Sequence, residues 1–143
     1  MDLGFEPPAE SLLVRAESAV LAGAVGPLID NALDALEQSA CAGHVGVRIT
    51  SSDDDRTIDV IVEDDGPGLT PSAEALAFDP FFTTRPASGG LGLGLVFARA
   101  AASRCGGSIT LEPRSGSGTR AVFHLPRHVP PRAHVPASRD DTR

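Results

Sequence analysis

Apolar residues recur at helical spacing over 19–40. Val20, Leu21, Ala24, Leu28, Ile29, Ala32, Leu33 and Leu36 form one stripe, which predicts an amphipathic helix with one buried face. Glu17 and Ser18 supply N-cap chemistry just before it. Pro27 falls inside the stripe and is expected to kink the helix or split it. The period then changes to two. Val45, Val47 and Ile49 alternate with small or polar residues, as do Ile58, Val60 and Val62 beyond Asp53, Asp54, Asp55 and Arg56, so a β-hairpin is expected. The acid triplet at its tip lacks the Gly and the later Glu of a calcium loop and reads as a solvated turn.

A short apolar stretch at 11–16 predicts a strand. From 64 to 94 periodicity fades, which leaves a long loop with at most a short helix at 72–76; loops of this length are usually functional. A second amphipathic helix is expected over 91–104, stopped by Gly106 and Gly107. Strands at 108–112 and 119–125, joined by a Gly-Ser turn at 115–118, complete the pattern. The chain thus divides into a flexible N-terminal segment at 1–10, one domain at 11–126, and a disordered tail rich in Pro and Arg at 127–143.

Composition narrows the function classes. The 143 residues suffice for one core, and 41% hydrophobic content is more than a disordered chain carries. Twelve basic residues against 19 acidic give a net charge of −7, which argues against a nucleic-acid surface. Every basic residue is Arg. The absence of Lys excludes the P-loop lysine, the strand lysine of eukaryotic-type protein kinases and the Schiff-base lysine of pyridoxal enzymes. Two cysteines, Cys41 and Cys105, are too few for a disulfide scaffold and are expected to be reduced and buried. Cys41 and His44 have the spacing of a metal pair but no second pair, so coincidence is the simpler reading. The near-apolar run at 19–29 is interrupted by Gly23, Gly26 and Pro27 and falls short of the roughly 20 residues that a membrane span needs. With no cleavable signal pattern, a cytoplasmic location and no membrane contact by this segment are expected.

Four clusters carry candidate chemistry. Asp64-Asp65-Gly66-Pro67-Gly68 closes a hydrophobic strand with a carboxylate that could accept a hydrogen bond from a nucleobase amine; a plain strand-ending turn has the same composition. The glycines of Ser88-Gly89-Gly90-Leu91-Gly92-Leu93-Gly94-Leu95 expose backbone amides at a helix N-terminus, which suits phosphates, although a lid without ligand would look alike. Their spacing is not that of a dinucleotide fingerprint. Phe78-Asp79-Pro80-Phe81-Phe82 holds three of the six Phe residues; at least two rings are expected against the core, beside Thr83, Thr84 and Arg85, which could meet phosphate oxygens. Asn31, between Asp30 and Asp34, either finds a protein partner or contacts a metal ion bridging phosphates.

Taken in order, Asn31-Ala32-Leu33-Asp34-Ala35, 64–68, 78–82 and 90–94 resemble the N, G1, F and G2 boxes of the histidine kinase ATP-binding domain. That domain belongs to the Bergerat-fold group with gyrase, the Hsp90 chaperones and the MutL mismatch-repair proteins. The similarity spans nearly all of 11–126, and Gly106-Gly107 and Gly116-x-Gly118-Thr119 match the end of such a domain. The resemblance implies an α/β two-layer sandwich with helices on one face of a mixed sheet. It implies ATP and Mg²⁺ as ligands, Asp64 on the adenine amine with Thr119 nearby through water, and Gly66 and Gly68 shaping the base pocket. Asn31 would ligate the Mg²⁺, with Asp34 and Ala35 beside it. Phe82, Thr83, Thr84, Arg85, Gly90, Leu91, Gly92, Leu93 and Gly94 would form the lid over the phosphates. A carboxylate at Asp64 would also select adenine, since guanine would aim a carbonyl at it.

The pattern departs from the family at three places, one of them Asp34, where many of its kinases have a basic residue near the phosphates. One turn before Asn31 the family has a second Asn, or in its ATPase branches a water-activating Glu; here the residue is Pro27, which removes the expected general base. The family's phosphoacceptor His lies on a preceding dimerisation helix and is followed by an acidic residue, unlike His44, His124, His128 and His134. The implied activity is therefore the ATP-binding part of a sensor histidine kinase. It would donate a γ-phosphate to a His on a dimerisation domain, in the same chain or another, with a response regulator downstream, and could sit at the cytoplasmic end of a membrane-bound sensor. Two rivals are a nucleotide-binding regulatory module without phosphotransfer, for which Pro27 would be the mark, and a serine kinase of the anti-sigma type.

Overall fold

The structure is a computed structural model and describes residues 1–39, 42–84 and 91–131. Strands β1 (Asp2–Glu6), β2 (His44–Ser51), β3 (Thr57–Asp64), β4 (Ser108–Pro113) and β5 (Thr119–Pro126) form one five-stranded sheet in the order β1-β2-β3-β5-β4. The β1–β2 pair is parallel and the others are antiparallel, so the sheet is mixed. Helices α1 (Ser18–Ser39), α2 (Pro71–Leu76) and α3 (Gly94–Arg104) accompany it, with the helical layer on one face.

The period-two pattern sets which face is covered. Val45 and Val47 on β2, Ile58, Val60 and Val62 on β3, and Ala121, Phe123 and Leu125 on β5 are buried with Ala24, Leu28, Ala32 and Leu36 of α1 in one core. Ala98 and Ala102 of α3 are in the same cluster, and their small size lets the helix lie close to its neighbours. A Cβ built on Gly23 would sit 3.7 Å from Ala101 Cβ, which marks the α1–α3 contact. The intervening positions carry polar groups that satisfy one another across strands. Glu63 bridges Arg48 at 3.2 Å and Arg120 at 2.5 Å, while His124 bonds Asp59 at 2.8 Å and Thr110 at 3.1 Å.

Several sequence expectations need correction. The segment at 1–10 is not irregular throughout, because Asp2–Glu6 pairs along β2 as the edge strand β1. The stretch at 11–16 forms no strand; Leu12 and Val14 pack on the core, and the Leu13 carbonyl accepts the His128 N–H at 2.7 Å. Pro27 does not split α1, which runs unbroken for 22 residues. The chain after β5 keeps bonding before the described residues end. The Arg127 N–H donates to the Arg56 carbonyl at 2.8 Å, and its guanidinium pairs with Asp55 and Glu10. Cys105 is free but only half-buried, and Cys41 lies outside the described residues.

By length and composition α1 could cross a membrane. Its packing shows otherwise: one stripe lies in the core and the adjacent one carries Asp30, Asn31, Asp34 and Gln38, so it is the central helix of this domain. Pro27 withholds from this helix the N–H that would reach the Gly23 carbonyl. Pro27→Ala restores that donor and is expected to stabilise the fold by about 1–3 kcal/mol. A urea unfolding midpoint that rises accordingly supports this; a fall would mean that the ring's packing near Gly94 outweighs the lost bond.

Candidate functional site

A cavity of about 610 Å³ opens between α1, the ends of β3 and β5, α2 and the segment leading into α3. This is within the usual size range of small-molecule sites. One stripe of α1 forms a wall: Pro27, Asp30, Asn31, Asp34, Ala35 and Gln38 recur at helical spacing beside the core stripe. Opposite lie Phe82, Thr83 and Thr84, then Leu91, Gly92, Leu93 and Gly94, with Asp64 and Thr119 where β3 ends and β5 begins.

Asp64 is the one charged residue in the core among the described residues, at 4% exposure. Its Oδ1 accepts the N–H of Gly66 at 2.9 Å and that of Thr119 at 3.3 Å. No fully buried side-chain oxygen among the described residues lacks a partner, so Oδ2, which takes neither bond, is not sealed in. Asp64 lines the cavity. Burial pushes the Asp64 carboxyl above its ordinary value of 3.8, outweighing the two amides that pull it down. A buried acceptor on a cavity lining, with one oxygen held by two amides and the other left out of those bonds, is suited to a donor on a flat ligand.

The opposite side is locked by a backbone contact. The Phe81 N–H donates to the Gly92 carbonyl at 3.2 Å, and Phe81 has a φ of +65°. Gly92 itself sits at φ +67°, and a Cβ there would run into the Phe82 carbonyl. Only glycine fits this contact, which brings the Phe-rich segment against the glycine-rich one. Arg99 on α3 stacks over the Phe78 ring with its guanidinium carbon 5.1 Å from the centroid and fastens the same region from behind. Of the three Phe rings, Phe78 packs on the core, Phe82 lines the cavity, and Phe81 is 73% exposed, so only one of them meets the core.

Most of the expected site residues are brought together. Asn31, Asp34, Ala35, Asp64, Gly68, Phe82, Thr83, Thr84, Leu91, Gly92, Leu93, Gly94 and Thr119 all line the cavity. Gly66 does not line it; Gly66 is buried behind Asp64, and a Cβ on it would meet Asp64 Oδ1 at 2.9 Å and Ala35 Cβ at 3.2 Å. Thr119 reaches Asp64 directly through its backbone N–H. Arg85 and Gly90 lie outside the described residues. Sequence reasoning passed over Gln38 and Thr70, also on the cavity wall. The signal for Thr70 was present: Thr70-Pro71 is an N-cap followed by proline at the first helical position, and Thr70 Oγ1 accepts the Ala73 N–H at 3.2 Å. The described lining holds three carboxylates, Asp30, Asp34 and Asp64, and no Arg or His. Of the described histidines, His44, His124 and His128 bond Asp2, Asp59 and Arg15 and stay outside the cavity.

The sequence pattern of the family described as histidine kinase-, DNA gyrase B-, and HSP90-like ATPase matches residues 17–129. The chain belongs to this family. Its relatives are sensor kinases. It is 34% identical over 143 residues to the C4-dicarboxylate transport sensor protein DctB of Pseudomonas aeruginosa, a match covering all of this chain but 23% of that protein. Among solved structures, the mycobacterial sensor histidine kinase MprB superposes with a TM-score of 0.72 at 29% identity, covering 88% of this chain and 83% of that one. The nucleotide-free catalytic domain of the histidine kinase ThkA gives 0.72 at 26% identity over 88% and 80%. The two-layer sandwich expected from the sequence is therefore the histidine kinase catalytic fold.

The raised Asp64 value fixes the sign of a pH effect. The folded domain binds this proton more tightly than the unfolded chain, so ionising Asp64 costs stability. The cost is absent below the ordinary carboxylate value, grows as pH rises through it, and is complete above the raised value. Asp64→Asn keeps an acceptor oxygen for the two amides and removes the ionisation. Its thermal midpoint relative to the parent should therefore be higher at about pH 7 than at about pH 3. An advantage that is equal at both, or larger in acid, would contradict the assignment.

Proposed function

We propose that this domain binds Mg-ATP in the cavity and donates its γ-phosphate to a His on a dimerisation domain, carried by the same chain or by another. The family and the kinase relatives support this reading. The observation that carries it is that Asp64, with Oδ1 taken by two amides and Oδ2 by neither, lines a cavity whose other side is a glycine-lined segment opening α3. The adenine amine donates to Oδ2, while Val62, Leu111 and Ala121 offer apolar surface to the ring. The polyphosphate runs toward Thr83, Thr84 and the amides of Gly92 to Gly94.

Among the described residues no three metal-ligating side chains cluster. In this reading the cation arrives on the nucleotide, with Asn31 as the protein's contact on the α1 wall. When bound, the cation offsets the charge that Asp30 and Asp34 would otherwise set against the phosphates. The domain itself has little covalent chemistry to perform. Phosphoryl transfer is governed by positioning and charge stabilisation, so holding the base at one end and the phosphates at the other is its contribution. A response regulator as the next acceptor, and a place on the cytoplasmic side of a membrane-bound sensor, belong to the same reading.

Pro27 favours a second reading. It lies on the cavity wall one turn before Asn31, so the side chain that could bind metal or accept a proton is missing from the site itself. A domain that holds nucleotide without transferring phosphate would be built this way.

Isothermal titration distinguishes base-specific binding: Mg-ATP should bind and Mg-GTP should bind at least tenfold more weakly, about 1.4 kcal/mol. Asp64→Ala should remove most of the ATP affinity, and Asn31→Ala should weaken binding more with Mg²⁺ than without it. Unchanged affinity in the first variant rejects the adenine contact; equal losses in the second reject the metal role. Incubation with labelled ATP and a dimerisation domain should give acid-labile phosphate. Binding without transfer selects the regulatory module, and acid-stable phosphate on a partner Ser selects the serine kinase.

A further inference from the structure

The turn between β4 and β5 is clasped to the turn that carries Asp64. The exposed Ser117 donates its hydroxyl to the Gly66 carbonyl at 2.6 Å. Gly66 in turn donates its N–H to Asp64 Oδ1 at 2.9 Å. The neighbours of Ser117 fix its position. Gly118, at φ +102°, lies so close to the Asp64 carbonyl that any Cβ would collide with it, and its own carbonyl accepts the Arg114 N–H at 3.1 Å. Arg114 Nη1 reaches the Asp64 carbonyl at 3.4 Å, and Thr119 N–H reaches Asp64 Oδ1 at 3.3 Å. A Cβ on Gly68 would meet the Gly118 carbonyl at 3.1 Å, so the two turns touch along their length.

The geometry points to Ser117 as a positioning residue for base selection. It anchors Gly66 by its carbonyl, and so steadies the residue whose N–H, on the preceding peptide, meets Asp64 Oδ1 and holds that carboxylate in one orientation at the cavity. Backbone groups and the longer Arg114 contact make the other links; Ser117 supplies the short side-chain bond. Without the hydroxyl, the Gly66 carbonyl can turn to water, and Gly66 gains freedom about its own φ and ψ, which loosens the N–H on the preceding peptide. The Asp64 side chain then loses one of its two restraints, and the oxygen offered to a base is no longer fixed. A serine that merely capped a carbonyl would affect stability and leave base preference alone.

This inference rests on the nucleotide-binding reading above and deepens it. The test compares Mg-ATP with the magnesium complex of inosine triphosphate, which carries a carbonyl where adenine has its amine, by titration calorimetry on the whole chain. Ser117→Ala should weaken ATP binding by about 3- to 10-fold, the worth of one hydrogen bond, with little change for inosine triphosphate, so that the discrimination ratio falls by the same factor. Ser117→Thr keeps the hydroxyl and should restore the ratio. A urea midpoint measured on each variant confirms that folded protein is compared. An unchanged ratio in Ser117→Ala, a parallel loss for both nucleotides, or failure of Ser117→Thr to restore discrimination would overturn the positioning role while leaving nucleotide binding intact. A parent chain that binds neither nucleotide would overturn both readings.

Discussion

The structure depends on one buried carboxylate. A strand that alternates strictly ends in Asp64, whose phase places it on the covered face where its neighbours are apolar. Burying a charge there is costly, and two backbone amides offset only part of the cost. Such a group persists in a core when a ligand needs it. The glycines around it follow from the same constraint, because the chain must fold back tightly enough for the Gly66 and Thr119 amides to reach one oxygen.

Helix α1 links that carboxylate to the rest of the site. It presents two adjacent stripes, one apolar and facing the sheet, the other polar and facing the cavity. The first fixes the helix over β2 and β3; the second thereby becomes a wall at a set distance from Asp64. The wall is acidic, and the described lining holds no basic side chain. A polyanion that brings its own cation suits such a wall. Pro27 lies on this wall, so its effect falls on chemistry as well as on the helix.

Much of this was legible in the sequence because it rests on local rules. The two hydrophobic periods located α1, the β2–β3 hairpin, α3 and the β4–β5 hairpin, and the four motifs named most of the expected residues that line one cavity. The errors arose where tertiary contacts override local pattern. Asp2–Glu6 looks like a loose segment until β2 supplies a partner, and 11–16 looks like a strand but, beyond the Leu13–His128 bond, pairs with no strand among the described residues. Pro27 was tolerated because the core stripe on either side holds the helix together. Gly66, expected to shape the base pocket, is absent from the cavity lining and bonds Asp64 through its N–H. The clasp through Ser117 joins residues 51 positions apart and has no local signature at all.

The most direct measurement is an NMR titration of the isotopically labelled chain with Mg-ATP. Nucleotide bound against Asp64 should shift the carboxyl carbon of Asp64 and the amides of Gly66, Thr119 and Gly92, while Arg48, Asp59 and His124 on the other face of the sheet stay unmoved. Perturbations that gather on that face and leave the Asp64 carboxyl where it was would contradict it.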